Sequence, residues 1–504
     1  MAKAFSHCRL LPIIFFIIIA LSVFFGGQFF TKTGFFKPPG KVYYDPSLTT
    51  TEIENLQTIF TKDLILKNDV TISATTTLTK PESSSHILIH QILVPVTDFY
   101  DSTTSLPSTT ILSLATDFVS EQTSAPESSS SPNSYPKLLP ISKLSPTEKL
   151  LAIDDDYYLD SFERGAIFRN FTFDSKTYET EIKPLVFAHF QSTFPDSSTV
   201  LTFAETGVTA LSRGMNKKLK QVGSAEYFAE NIKSYLSNFD LTHISNESSF
   251  SNFASYTNIC SDPHFIETLI AIGVDIVELT GNHNQDCGDE SARNTIDTYL
   301  SHNIKLVGGG KTATEAKIPL TINQKNTHIT MLAYNQSTGG ATLDQTPGAN
   351  QYNEEDAKTN ITTAKKRGDI VIVNIQYYEC SNYDHTSEHT ACDKANSSAG
   401  DQISFFRHLI DLGADIVVGT SAHQPQTFET YKGKTIYYGL GNLFFDQVWW
   451  PGTTRSLILA HYFYQGKHLQ TKIVPTVYDN NMQTRLMNKE QAQWFLKRLA
   501  SVHP

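Results

Sequence analysis

The chain opens on an uninterrupted apolar run from Leu10 to Phe25, extended by Gly26, Gly27, Gln28, Phe29 and Phe30 and preceded by Lys3 and Arg9. A helix of about 20 mostly apolar residues crosses the hydrocarbon of a bilayer, and basic residues ahead of the run favour an N-in orientation. Residues 1–35 are therefore predicted to form a single-pass anchor in the cell membrane, with the C-terminal bulk extracytoplasmic. A cleaved secretory signal is the competing reading, but no A-x-A-like site follows the run. No second run of comparable length occurs, which excludes a polytopic transporter.

Residues 31–60 read as a juxtamembrane stretch, and 61–100 carry short β-like runs such as His86 to Pro95. Residues 101–137 are rich in Ser, Thr and Pro and read as a linker. Residues 138–190 regain Leu, Ile, Tyr and Phe, closing a small accessory region over 36–190. From 195 the pattern alternates. Strands are predicted over Val200–Ala204, Asp275–Leu279, Ile304–Val307, Thr327–Tyr334, Asp369–Ile375 and Asp415–Val418. Helices are predicted over Ala225–Asn238, Phe265–Ile272, 289–302, Glu354–Lys366 and Gln402–Leu412, with a C-terminal helix in 481–504. Strands alternating with helices of this length imply α/β layers.

Composition narrows the function classes. Of 504 residues, 40% are hydrophobic, enough for a large core, which excludes wholesale disorder. Lys and Arg number 40 against 51 Asp and Glu, a net charge of -11, which argues against a nucleic-acid partner. The cysteines suit an oxidising compartment. Cys380 and Cys392 bracket the polar stretch SNYDHTSEHTA, and closing such a loop is worth about 2–3 kcal/mol in the chain-entropy model. Cys260 with Cys287 is the remaining pair; unpaired thiols are the alternative, and no C-x2-C spacing suggests a cysteine metal site.

Several polar turns follow directly on apolar strands, where layered α/β proteins place ligands. The most informative is Gly281-Asn282-His283-Asn284-Gln285-Asp286, which offers an oxygen ligand, an imidazole and a carboxylate to orient it. A capping turn is the plainer reading of the same residues. The others are Gly419-Thr420-Ser421-Ala422-His423-Gln424-Pro425-Gln426, Ser245-Asn246-Glu247-Ser248, Asn374-Ile375-Gln376-Tyr377-Tyr378-Glu379, and Gly439 to Gln447 with Asn442 and Asp446. Gly308-Gly309-Gly310-Lys311-Thr312 is not a phosphate-binding loop, because Lys305 stands where its first glycine belongs. No Gly-x-Ser-x-Gly elbow supports a serine hydrolase.

Taken in order, these segments resemble the CapA family of capsule (poly-γ-glutamate) synthesis proteins, related to the calcineurin-like metallophosphoesterases. The strongest stretches are ELTGNHNQDCG, VGGGKTATEAKIPL and LGADIVVGTSAHQPQTFETYKGKTIYYGLGNLFFDQ, within about residues 195–480. The resemblance implies a four-layer α/β/β/α sandwich whose strand-end loops converge on a metal centre. It also implies residue roles. His283, oriented by Asp286, is expected to transfer protons. Glu247, Asn282, His423, Gln376 and Glu205 are expected around a divalent cation (Mn, Mg, Ca or Zn; one or none). Arg213, Gln426 and Asn442 are expected to bind substrate. The match is incomplete. The family's Gly-Asp-Val/Ile-Met-Leu-Gly-Arg appears as Gly207-Val208-Thr209-Ala210-Leu211-Ser212-Arg213, so Val208 replaces a ligand Asp. Gln376 and Ser421 stand where the family has histidines.

Two functions are compatible with this pattern. One is a metal-dependent hydrolase or transferase in the synthesis or release of an envelope polymer such as poly-γ-glutamate. The other is a non-catalytic factor that holds the polymer or its synthase at the membrane around a degenerate metal site.

Overall fold

A computed structural model describes residues 40–60, 66, 68–81, 86–123, 135–175, 180, 182–183, 195–337, 339–342, 344–377 and 401–504. The Leu10–Phe30 run, Glu379, Cys380 and Cys392 lie outside these residues. Among the described residues no helix is long and apolar enough to cross a membrane.

The fold is mixed α/β, as the alternating pattern implies. Its N-terminal part is a six-stranded sheet in the order Val42–Tyr44, Val70–Thr77, Ile167–Asp174, Ile87–Asp98, Lys137–Pro140, with Glu148–Leu150 also paired to Ile87–Asp98. Two sequence expectations need correction here. The stretch read as juxtamembrane contributes a strand and the helix Thr50–Ile59. Thr49 and Glu52 form a reciprocal capping box at its start. Glu52 also takes both ends of the Arg169 guanidinium, at 2.8 and 3.0 Å, which ties the helix to the sheet. Within the stretch read as a linker, residues Ser108–Thr123 form a helix. Apolar Ile111, Leu114 and Ala115 recur at helical spacing and pack on the sheet, an amphipathic signal hidden by the Ser/Thr content.

The remainder is built on two further sheets, one of eight strands and one of six. The first runs Lys305–Val307, Ile276–Glu278, Leu241–Asn246, Val200–Thr209, Arg455–Tyr464, Lys467–Tyr478, Thr484–Leu486, with Asn442–Phe444 also paired to Val200–Thr209. The second runs Leu320–Gln324, Thr327–Asn335, Ile370–Gln376, Ile416–Gly419, Lys434–Tyr437, Phe428–Tyr431. Their central strands are parallel. One apolar core draws on both sheets, with Leu201, Phe203 and Leu459 from the first and Met331, Ile372 and Val418 from the second. Strand neighbours point the other way. Ala204, Ile244 and Val277 pack on Phe228, Phe265 and Ile296. Leu332, Val373 and Val417 pack on Ile361, Phe406 and Leu409. Burial on both faces explains why these strands read as continuous apolar runs.

Helix ends follow local chemistry. Glu354–Arg367 is capped by Asn353, carries three acids in its first turn and three bases in its last, and stops at Gly368 in the left-handed conformation. The helix expected over Ala225–Asn238 is instead a 3-10 turn, Ala225–Ala229, and a short helix, Lys233–Leu236. Phe228, Ile232 and Leu236 keep their buried spacing across the break. The C-terminal helix is Lys489–Ala500, and its Phe495 and Leu499 join the core between the sheets.

Candidate functional site

The parallel strands aim their C-terminal ends at one edge of the two sheets, and a polar cluster forms there. Glu247 follows the strand ending at Asn246, Asn282 the strand ending at Glu278, and Gln376 ends its own strand. Ser421 and His423 follow the strand ending at Gly419. The Gln376 amide sits in the middle. Its Nε2 lies 3.1 Å from Glu247 Oε1, 3.1 Å from Asn282 Oδ1 and 3.2 Å from Ser421 Oγ, and its two protons are shared among these three acceptors. A carboxylate only accepts, so the amide orientation is fixed.

His423 completes the cluster, with Nε2 lying 3.8 Å from Glu247 Oε2. Its Nδ1 lies 2.8 Å from Asn442 Oδ1. The Asn442 amide nitrogen donates to the Thr453 carbonyl and to Gln447, so Oδ1 must be the atom facing the ring. His423 Nδ1 therefore carries a proton, and Nε2 is turned toward Glu247.

The loops are pinned together from behind. Asn246 and Asn284 exchange hydrogen bonds at 2.9 and 3.2 Å, and the Tyr299 hydroxyl donates to Asn246 Oδ1 at 3.0 Å. Burial pushes the Tyr299 phenol up, keeping it a neutral donor. A Cβ at Gly281 would lie 2.6 Å from the Asn246 carbonyl and 2.7 Å from Glu247 Cα, so only glycine permits this approach. Cys260 and Cys287 form a disulfide that joins the segment after Glu247 to the segment after Asp286.

The other expected residues fall around the cluster. His283 Nδ1 pairs with Asp286 Oδ2 at 2.8 Å on the exposed side of the turn, one position beyond Asn282. Arg213 pairs with Asp446 at 2.5 Å and lies 4.5 Å over the Phe445 ring, which also meets the His423 ring at 5.3 Å. Gln426 is buried against Gln402 and Gly439 rather than in the cluster.

Glu205 does not join Glu247. It lies deeper between the sheets, where Asn374 bridges Glu205 Oε1 at 2.6 Å and Glu278 Oε2 at 2.9 Å. His461 faces Glu205 at 3.1 Å and His243 faces Glu278 at 3.3 Å, all fully buried. Thr420 also donates to Glu278 at 2.8 Å. Burial pushes the Glu205 carboxyl up, but His461, His243 and Asn374 together outweigh it and hold the group below its ordinary value. Sequence reasoning missed Glu278, His243 and His461. For Glu278 and His461 the signal was an ionisable residue directly after an apolar run, Ile276-Val277 and Leu457 to Ala460; the strand Leu241–Asn246 offers no such contrast for His243.

The described residues of this cluster do not by themselves fit a metal centre. Among the described residues no three His, Cys, Asp or Glu side chains are grouped to hold an ion. Val208, at the position of the expected ligand acid, packs with Ala210 and Phe445. The Gln376 amide nitrogen fills the point on which the oxygens of Glu247, Asn282 and Ser421 converge. Among the described residues, what the cluster supplies is a largely buried hydrogen-bonded set of amides and hydroxyls around the Glu247 carboxylate and the His423 imidazole, with Asn282 and His283 partly exposed beside it.

Comparison with known proteins places this site. Residues 202–447 match the family model described as bacterial capsule synthesis protein PGA_cap. The chain is 24% identical over 275 residues to capsule biosynthesis protein CapA of Bacillus anthracis, covering 52% of this chain and 64% of that protein. It is 28% identical over 199 residues to PGA biosynthesis protein CapA of Bacillus subtilis, covering 39% and 49%. It is 26% identical over 210 residues to a probable polyglutamine synthesis accessory protein of Mycobacterium tuberculosis, covering 38% and 52%. The chain thus spans between about half and just under two thirds of the length of these curated relatives. The matched segment begins in the strand Val200–Thr209 and ends at Gln447, so it carries every loop that builds the polar cluster: over residues 202–447 the chain belongs to the PGA_cap (CapA) family, whose general kind of fold is that of the metallophosphoesterases.

Proposed function

We propose that this chain is a membrane-anchored, extracytoplasmic CapA-like factor that binds an envelope polymer such as poly-γ-glutamate, or its synthase, during capsule synthesis, without a resident metal. The family match and the relatives named for capsule and PGA synthesis support the polymer class. The apolar run Leu10–Phe30 supports the anchor. Core clusters that alternate between the two sheets and their flanking helices support a four-layer α/β/β/α scaffold.

The single observation that carries the non-catalytic reading is the Gln376 amide at the centre of Glu247, Asn282 and Ser421. A polymer of amides and carboxylates needs donors and acceptors at a rim, and the partly exposed Asn282, His283 and Arg213 offer them. A metal-dependent hydrolase needs several anionic or imidazole ligands per ion, which these residues do not assemble. The test is calorimetric binding of a γ-linked glutamate oligomer to the full chain in nanodiscs, with and without a chelator. Binding that a chelator leaves unchanged, and that Asn282→Ala weakens, supports the proposal. Binding abolished by the chelator, or oligomer cleavage restored by added metal, overturns it.

A further inference from the structure

Away from the strand-end cluster, a cavity of about 470 Å³ lies where the N-terminal sheet meets the C-terminal helix. Its size falls in the range of small-molecule sites. Apolar walls come from both sides: Phe99, Leu150 and Tyr157 from the N-terminal part, and Phe428, Met487 and Leu496 from the rest. Into this space the strand Glu148–Leu150 places Lys149.

The charges around the cavity are unevenly matched. Lys472 pairs with Asp160 at 2.6 Å and lies over the Tyr157 ring, and Lys489 pairs with Asp155 at 2.7 Å. Asp101 is occupied by Thr97 and by the Thr103 amide. The Lys149 ammonium donates to the Asp101 backbone carbonyl at 2.6 Å, and among the described residues no carboxylate forms an ion pair with it. An ammonium has three protons to donate. An apolar cavity containing a cation that, among the described residues, no carboxylate meets at ion-pair distance, Asp101 acting on it only from farther off, is complementary to an anion with an apolar body.

We propose that this cavity is a binding site for a small carboxylate carrying an apolar chain or ring, its carboxylate on Lys149 and its body against Phe99, Tyr157, Phe428 and Leu496. Burial, opposed by the Asp101 charge, pushes the Lys149 ammonium down to about 8. That matches a site left undercompensated until an anion arrives. The proposal is independent of the polymer-binding reading, since none of these residues belongs to the strand-end cluster.

The probe is 4-phenylbutyrate, titrated calorimetrically into the full chain in nanodiscs, with empty nanodiscs subtracted. The uncharged 4-phenylbutanol and the short butyrate are the controls. Wild type should bind 4-phenylbutyrate at one site and prefer it to both controls. Lys149→Met should weaken 4-phenylbutyrate by about tenfold or more and abolish its advantage over 4-phenylbutanol. Ala500→Leu, which adds bulk to the wall, should weaken both aromatic probes; circular dichroism checks that each variant is folded. No binding by wild type, or the same preference for the carboxylate in Lys149→Met, overturns the proposal.

Discussion

Gln376→Glu tests the reasoning about the strand-end cluster most sharply. The substitution keeps the side-chain shape and replaces a donor nitrogen by an anionic oxygen, 3.1 Å from Glu247 Oε1 and 3.1 Å from Asn282 Oδ1. Two unit charges at that separation repel by about 5 kcal/mol at an effective dielectric of 20. The pair relieves this by holding a proton, which raises one carboxyl pKa. A raised folded-state pKa destabilises above the unfolded value, near 4.3, and the loss saturates above the folded one. The expected result is a loss of about 3–5 kcal/mol at pH 7.5 that shrinks as the solution is acidified, read by urea unfolding followed by circular dichroism. Excess Mn²⁺ should recover much of it, because the variant then offers a second carboxylate beside Glu247, Asn282 and His423. Wild type should show no Mn²⁺ shift. A variant as stable as wild type at pH 7.5, or an equal Mn²⁺ shift in both proteins, would refute the reasoning.

Three further outcomes follow from other parts of the fold. Arg169→Leu removes the guanidinium half of its buried, bidentate pair with Glu52; a loss of about 3–5 kcal/mol is expected in urea unfolding, and an unchanged midpoint would count against it. Replacing Cys260 and Cys287 together by Ser opens a loop with a sequence separation of 27, worth about 3–4 kcal/mol in the chain-entropy model; a stability equal to wild type under non-reducing conditions would deny the bond a structural role. Glu205 is held below its ordinary carboxylate value, so its contribution is present at neutral pH and lost as pH falls through the lowered value. Glu205→Gln should therefore be less stable than wild type at pH 7, with the gap closing in acid; a gap that widens in acid would reverse the sign of the argument.

Much of this architecture is legible in the sequence. Gln402–Leu412 matches its predicted bounds because an acid N-cap and a following glycine punctuate it on both sides. The meeting of Glu247, Asn282, Gln376 and His423 was also legible, since each follows a parallel strand and parallel strands share one C-terminal edge. What the sequence hid was the depth of a side chain along its strand. Glu205 lies only three residues before Val208, yet it turns into the space between the sheets and meets His461, a partner contributed by an antiparallel strand 256 positions away. Asn374 and Gln376 share a face of one strand, and the period of two places the first on the buried carboxylates and the second on the strand-end cluster. The helix Ser108–Thr123 was obscured because small hydroxyl residues read as linker while a few apolar positions decide packing.

The most direct test of the central claim, that the Gln376 amide occupies the middle of the strand-end cluster and no ion is needed there, is metal content. The full chain, purified without chelator and dialysed against metal-free buffer, should carry far less than one equivalent of any divalent transition metal by plasma mass spectrometry. About one or two equivalents per chain, lost together with the fold or the binding activity of the site, would contradict it.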